Sequence, residues 1–282
     1  MKKILAILLC LLLIGSTLTL ASCDELDFLN KDEESSETLK NPAPIDDDDP
    51  PSKPSGIETL NGKTPEELYE EALEKVSSYT NYTMTTEQII TMSFEGQEQD
   101  INQTLISKAN GHDSYVKSTN DMTSNANTET WYVDEWLYTI QNDQRLKANI
   151  TWQEMQDNYM PEGATGESSL MNIPEDWFVD VKFKKDGSKY YIKFVVSGEE
   201  YLQYMQSTAL GVQLQGVDDV IYKVYFDAEG NLGDIITEFD FVVTDSGYTV
   251  DCHAVSTSKI SNIGTTTIEA PEGSFTDLTG YM

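Results

Sequence analysis

The chain is short of the residues on which most enzyme chemistry depends. Three cysteines and two histidines in 282 residues give no zinc-type spacing and no disulfide framework. Basic residues are scarce, 18 Lys and Arg against 49 Asp and Glu. The resulting formal charge of −31 argues against nucleic acid as a partner, because phosphates need Lys and Arg. It argues equally against adsorption by charge to anionic lipid headgroups. The sequence has no phosphate-cradling glycine loop and no nucleophile elbow. No catalytic residue, metal site or cofactor is therefore assigned. Long apolar runs are missing too, apart from one at the start.

That run, Ile4 to Ile14, follows Lys2 and Lys3 and reads as a secretory signal covering residues 1–22. It is shorter than the roughly 20 residues that cross a bilayer. It ends on Leu20-Ala21-Ser22-Cys23, which resembles the lipobox of bacterial lipoproteins. The resemblance implies a diacylglycerol on the Cys23 thiol and cleavage before that residue. Ala21 and Ser22 would also suit a plain signal peptidase. From Cys23 to Lys63 the chain lacks hydrophobic periodicity, is rich in acids, and contains Asp46-Asp47-Asp48-Asp49-Pro50-Pro51. Such a segment buries too little apolar surface to offset its ordering entropy. It reads as an acidic tether, extended by like charge and stiffened by proline. The four aspartates lack the glycine turn and closing glutamate of a calcium loop.

Loss of the signal removes Lys2 and Lys3 and no acid, which takes the formal charge from −31 to −33. A membrane link must then be covalent, and a multi-chain lipid makes it stable. Cys10 leaves with the signal and Cys23 carries the lipid, so Cys252 remains alone. The expected location is the outer face of a cell membrane, lipid-anchored, in a Gram-positive bacterium.

Residues 64–282 form the folded part. Thr64-Pro65-Glu66-Glu67 has the form of a capping box with proline at the first helical position. Leu68, Ala72, Leu73, Val76 and Tyr79 then recur on one stripe, predicting an amphipathic helix to about Ser78. The period changes to two at Tyr82. Tyr82, Met84, Ile90, Met92 and Phe94 share one face of a strand, and Thr83, Thr85, Glu87, Thr91 and Ser93 the other. Ile101 to Ala109 is a second strand, followed by the hairpin signal Asn110-Gly111. Tyr115 to Ser118 and Thr128 to Ile140 continue the meander, and Thr151 to Tyr159 is a short helix. Trp177 to Phe183 and Lys189 to Val196 form a hairpin with Tyr190, Ile192, Phe194 and Val196 on its apolar face. A short helix from Gly198 to about Ser207 precedes strands at Val220 to Phe226, Leu232 to Val243 and Tyr248 to Ser256. The fold class is α+β: a curved antiparallel sheet with an N-terminal helix and short inserted helices.

Several of these segments resemble the LolA/LppX-like lipoprotein-carrier superfamily, in particular its Gram-positive lipoprotein branch. They are the helix Leu68 to Tyr79 running into Tyr82-Thr83-Met84, the hairpin Trp131-Tyr132-Val133-Asp134-Glu135-Trp136-Leu137-Tyr138, the hairpin Tyr225 to Leu232, and Ile268-Glu269-Ala270-Pro271. Glu135 stands where such sequences often carry glycine. The resemblance implies a half-open β-barrel whose apolar concave face is lidded by helices and accepts acyl chains. It brings no catalytic residues.

Three polar motifs have plainer readings. Cys252 and His253 are strand neighbours that point to opposite faces, which removes them as a thiolate pair. Asp227 to Asn231 resembles the start of a calcium loop and is fully explained as a β-turn. Asn81, Asn102 and Asn149 match glycosylation acceptors, a pattern of little meaning in a bacterium. The candidate ligand cavity is the apolar strand face: Met84, Ile90, Met92, Phe94, Leu105, Trp131, Tyr190, Ile192 and Phe194. From sequence these residues are either a packed core or the lining of a cavity for a lipid or other hydrophobic ligand. A surface interaction or sensory protein with a solid core and an unspecified protein partner is the alternative.

Overall fold

A computed structural model of the chain describes residues 59–94, 96–121, 127–159, 178–186, 189–199, 201–202, 214–245 and 248–279. The signal, Cys23 and the tether lie outside the described residues. The first element is helix α1, Pro65–Ser77, and its capping box is complete. The Glu67 N–H donates to the Thr64 hydroxyl, and the Thr64 N–H donates to the Glu67 carboxylate at 2.9 Å. Leu68, Tyr69, Ala72 and Val76 are its buried stripe.

Thirteen strands follow in one sheet. They are β1 (Asn81–Phe94), β2 (Gln97–Asn110), β3 (Asp113–Asn120), β4 (Thr128–Val133), β5 (Trp136–Gln141), β6 (Gln144–Asn149), β7 (Phe178–Asp186), β8 (Lys189–Val196), β9 (Leu214–Gln215), β10 (Val220–Phe226), β11 (Leu232–Asp245), β12 (Tyr248–Ser261) and β13 (Thr276–Asp277). Helix α2, Trp152–Tyr159, stands between β6 and β7. The order across the sheet is β13-β6-β5-β4-β3-β2-β1-β12-β11-β10-β8-β7, with β9 paired to β11. All pairings are antiparallel except β13 with β6. The two ends, β13 and β7, do not pair, so the sheet is curved and unclosed.

Turn chemistry sets the register. Asn110 pairs with Asp113, so the two-residue turn is Gly111-His112, one position later than the Asn110-Gly111 signal suggests. Gly111 supplies the positive φ of 63° there. At the β4–β5 turn Asp134 and Glu135 both have positive φ, 52° and 62°, and at the β5–β6 turn Asn142 and Asp143 repeat this at 50° and 62°. Positive φ at both central residues is the type I′ hairpin geometry, whose twist matches the flanking strands. Strand β6 and its turn extend the meander beyond the predicted end at Ile140.

The face that α1 covers is the inner face. A large cluster joins the α1 stripe to Ile90, Met92, Ile101, Ile192, Phe194, Val220, Tyr222, Val224, Ile235, Phe239, Phe241, Val250, Cys252 and Ala254. Tyr69 and Phe194 meet with ring centroids 4.5 Å apart. Where the chain is described beyond β8 it turns helical, the Tyr201 N–H bonding the Ser197 carbonyl at 3.0 Å and the Tyr201 ring meeting Phe239 edge-on. A second, smaller cluster lies at the other end of the same face, where Met155 of α2 packs with Tyr132, Leu137, Ala148 and Ile150. The Tyr132 hydroxyl donates to the Ile150 carbonyl at 3.3 Å.

The outer face is crossed by the C-terminal segment. It leaves β12, bonds Asn81 through Thr266, and reaches β6 as β13. There Phe275 packs edge-on against Tyr138, and the Arg145 guanidinium lies over the Phe275 ring at 4.4 Å. The segment thereby covers a sheet edge that would otherwise offer unpaired backbone groups.

Candidate functional site

Directly opposed residues of antiparallel strands share a face, so the register reads the inner face row by row. Met84 opposes Ser107, which opposes Val116, then Thr130, Thr139 and Leu146. The next row runs Ser258, Thr86, Leu105, Ser118, Thr128 and Gln141. The third runs Ser256, Gln88, Gln103 and Asn120. These three rows form a strip across the middle of the inner face. On one side Tyr82, Ala109, Ser114 and Tyr132 lead to the α2 cluster, and on the other Ile90 and Ile101 belong to the α1 cluster.

Away from the strand tips, the inner faces of β1 to β6, β8 and β10 to β12 carry no charge. On β1 to β6, β8 and β10 to β12, every inner-face position away from the strand tips is apolar, hydroxyl, amide or glycine, and the Asp, Glu, Lys and Arg residues of these strands lie on the outer face, apart from Asp245 at the tip of β11. This segregation in a chain of formal charge −31 is a property of the fold, because a slip of one residue would exchange the faces.

The sequence-predicted cavity residues separate into three groups. Ile90, Met92, Ile192 and Phe194 are buried within the α1 cluster, and Phe94 and Tyr190 pack against it partly exposed. Met84 and Leu105 are partly exposed and belong to neither cluster; they lie in the strip. Trp131 is on the outer face. The two-residue turn at Asp134-Glu135 pairs Val133 with Trp136, so Trp131 falls opposite Tyr115 and Tyr138 while Tyr132 points inward. Its ring meets Tyr115 at 5.0 Å, in a row that also holds Lys108 and Lys147.

The strip also contains residues that the sequence reading passed over. Val116 adds to its apolar row, Thr86 and Ser258 share a hydrogen bond of 2.8 Å, and Gln88 and Gln103 lie side by side. A signal for these was available, since Thr86 and Gln88 keep the same alternation as Met84, Ile90 and Met92.

The other polar candidates are accounted for locally. Cys252 is buried on the inner face, where burial pushes its thiol up to about 12. His253 is on the outer face, its Nδ1 2.8 Å from Asp240 Oδ1. Asp227 accepts from the Glu229 and Asn231 N–H groups and from the Asn231 amide. Those bonds hold its carboxyl below the usual carboxylate range, and the loop is a turn. His112 stacks on Trp152 with ring centroids 4.7 Å apart. Among the described residues no group of His, Cys, Asp or Glu is arranged to hold a metal ion. An open polar depression of about 550 Å³ is lined by Ser197, Gly198, Glu199, Val217, Asp218 and Asp219, none of them a cavity candidate.

No family model matches the sequence, and a comparison with curated proteins finds no match. Solved structures do show similarity. LprF from Mycobacterium bovis is 10% identical, with a TM-score of 0.39 over 74% of this chain and 97% of that one. A LolA superfamily protein from Nitrosomonas europaea is 10% identical, with a TM-score of 0.25 over 73% of this chain and 96% of that one.

Proposed function

We propose that the chain is a lipid-anchored extracytoplasmic protein that binds or carries an uncharged hydrophobic ligand on the inner face of its sheet. One observation carries this reading: the strip between the two packed clusters. Met84, Leu105 and Val116 are apolar and partly exposed there, on a face without charge. A sheet that served only as scaffold would join its clusters into one close-packed core. A ligand of apolar chains would complete the strip at no cost in buried charge. Methionine at its centre suits a surface that re-packs around flexible chains.

Cys23 supplies the address. Its lipid holds the domain at the outer face of the membrane of a Gram-positive bacterium. The acidic segment of some forty residues that follows is the proposed tether. The chain works on this reading by residence and sequestration, without catalysis. The alternative, a sensory protein with a docking surface, calls for an exposed apolar patch on the outer face; among the described residues only Ile263 is a large hydrophobic with an exposed side chain.

Fluorescence titration of the purified protein with the methyl ester of a fatty acid bearing a fluorophore tests the reading. Saturable uptake by the wild type and its loss in Met84→Arg and Leu105→Arg are expected, since an arginine in the strip must be desolvated by the ligand. Equal uptake by wild type and both variants would move the ligand elsewhere, and no uptake by any would remove it.

A further inference from the structure

The third row of the strip holds a polar feature that a surface for acyl chains alone does not need. Gln88 and Gln103 oppose each other on β1 and β2, in the middle of the charge-free face. Gln103 is 4% exposed. Its Nε2 donates to the Ser118 hydroxyl at 3.4 Å, but its Oε1 and the Oε1 of Gln88 are buried without a hydrogen-bond partner. A buried acceptor left unmet costs its full desolvation. Two such atoms side by side are seldom kept in a sheet whose neighbouring hydroxyls, Thr86 and Ser258, satisfy each other.

We propose that Gln88 and Gln103 form a polar subsite that receives the uncharged, hydrogen-bond-donating head of an amphiphile. The proposal rests on the reading of the inner face as a ligand site and specifies what the ligand must carry. Unmet carbonyl oxygens call for O–H or N–H donors. Turning either amide over would exchange its oxygen for an NH₂, and a hydroxyl, which both donates and accepts, answers either arrangement. A carboxylate or phosphate head has no cation to meet on the inner faces of β1 to β3, where the subsite lies, and would face the field of a strongly acidic chain. The rows grow more polar in order: Met84, Val116 and Leu146 alternate with the hydroxyl residues Ser107, Thr130 and Thr139 in the first, Leu105 stands among Thr86, Ser118 and Thr128 in the second, and Gln88 and Gln103 bring amides in the third. Both oxygens lie below the surface, so the entering head has to part the side chains above them.

The experiment compares two probes of one chain length on the full-length protein, by displacement of a fluorescent fatty acid methyl ester. Monododecanoylglycerol has two free hydroxyls and methyl dodecanoate has none. The wild type is expected to favour the glyceride by about tenfold, the value of one or two well-made hydrogen bonds. In the Gln88→Leu, Gln103→Leu double variant the preference falls to near one, through weaker glyceride binding and unchanged ester binding. Equal affinities in the wild type, or a preference that survives the double substitution, would overturn the subsite while leaving the hydrophobic site intact. Uptake of neither probe and no fluorescent signal would overturn both. Melting of the single variant Gln103→Leu gives a second readout. A polar subsite predicts a melting temperature at or above that of the wild type, because an unmet buried acceptor is removed; a marked drop would assign Gln103 to holding the sheet.

Discussion

Asn81 and Thr266, 185 positions apart in the chain, bond each other twice: the Thr266 N–H donates to Asn81 Oδ1 at 2.8 Å, and Asn81 Nδ2 donates to the Thr266 carbonyl at 2.9 Å. The Thr266 hydroxyl adds a bond of 2.9 Å to the Thr83 hydroxyl. This pairing pins the C-terminal segment across the start of β1, on the way to its pairing with β6. The chain itself thus crosses the outer face and leaves the inner face uncrossed by this segment.

Asn81→Ala should therefore loosen the C-terminal segment in particular. It leaves the Thr266 N–H and carbonyl unmet, a loss of about 1–3 kcal/mol. Hydrogen exchange should quicken at Thr266 and at Leu278, whose N–H bonds the Lys147 carbonyl, and stay slow in β10 and β11. Uniform acceleration over the sheet would contradict this placement.

Glu135→Gly should stabilise the protein. Glu135 holds a φ of 62° at the second position of the β4–β5 turn, where a side chain costs about 1–2 kcal/mol and glycine does not. Its carbonyl accepts from the Ile150 N–H and the Asn149 amide, and the substitution keeps both bonds. A gain of up to about 1 kcal/mol in denaturant unfolding is expected, part of the relief being offset by glycine's freedom in the unfolded chain.

Much of this fold was legible in the sequence. Helix α1 was marked by its capping box, and the long strands by strict alternation from Tyr82 to Phe94. Strand β6 escaped because Gln144 to Asn149 lies at the edge, where polar residues blur the alternation. The C-terminal segment has no period at all, and its path is set by contacts such as those of Thr266. Trp131 was assigned to the wrong face because Trp131, Tyr132, Trp136 and Tyr138 are β-formers on both faces. Only the turn length decides the phase there. The apolar residues of the candidate site, Met84 and Leu105 among them, are legible from alternation, whereas its hydroxyls and amides read in sequence as interruptions of an apolar pattern.

Cys252 should be inert in the folded protein. Burial raises its thiol to about 12, with the Asp251 charge adding to the effect, so little thiolate exists at neutral pH. A thiol whose pKa is raised on folding adds stability that is complete below its unfolded value of about 8.5 and is lost as pH rises toward the folded value. A maleimide at pH 7.5 should label Cys252 only after denaturant is added, and stability should decline between about pH 9 and 12. Rapid labelling of the native protein would place the thiol outside the core.

The most direct test of the central claim is native mass spectrometry of the full-length protein taken from the cells that make it, without delipidation. An uncharged amphiphile should accompany the wild type and be lost from Met84→Arg and Leu105→Arg. A spectrum of protein alone, with no uptake of a fluorescent fatty acid methyl ester afterwards, would contradict the account.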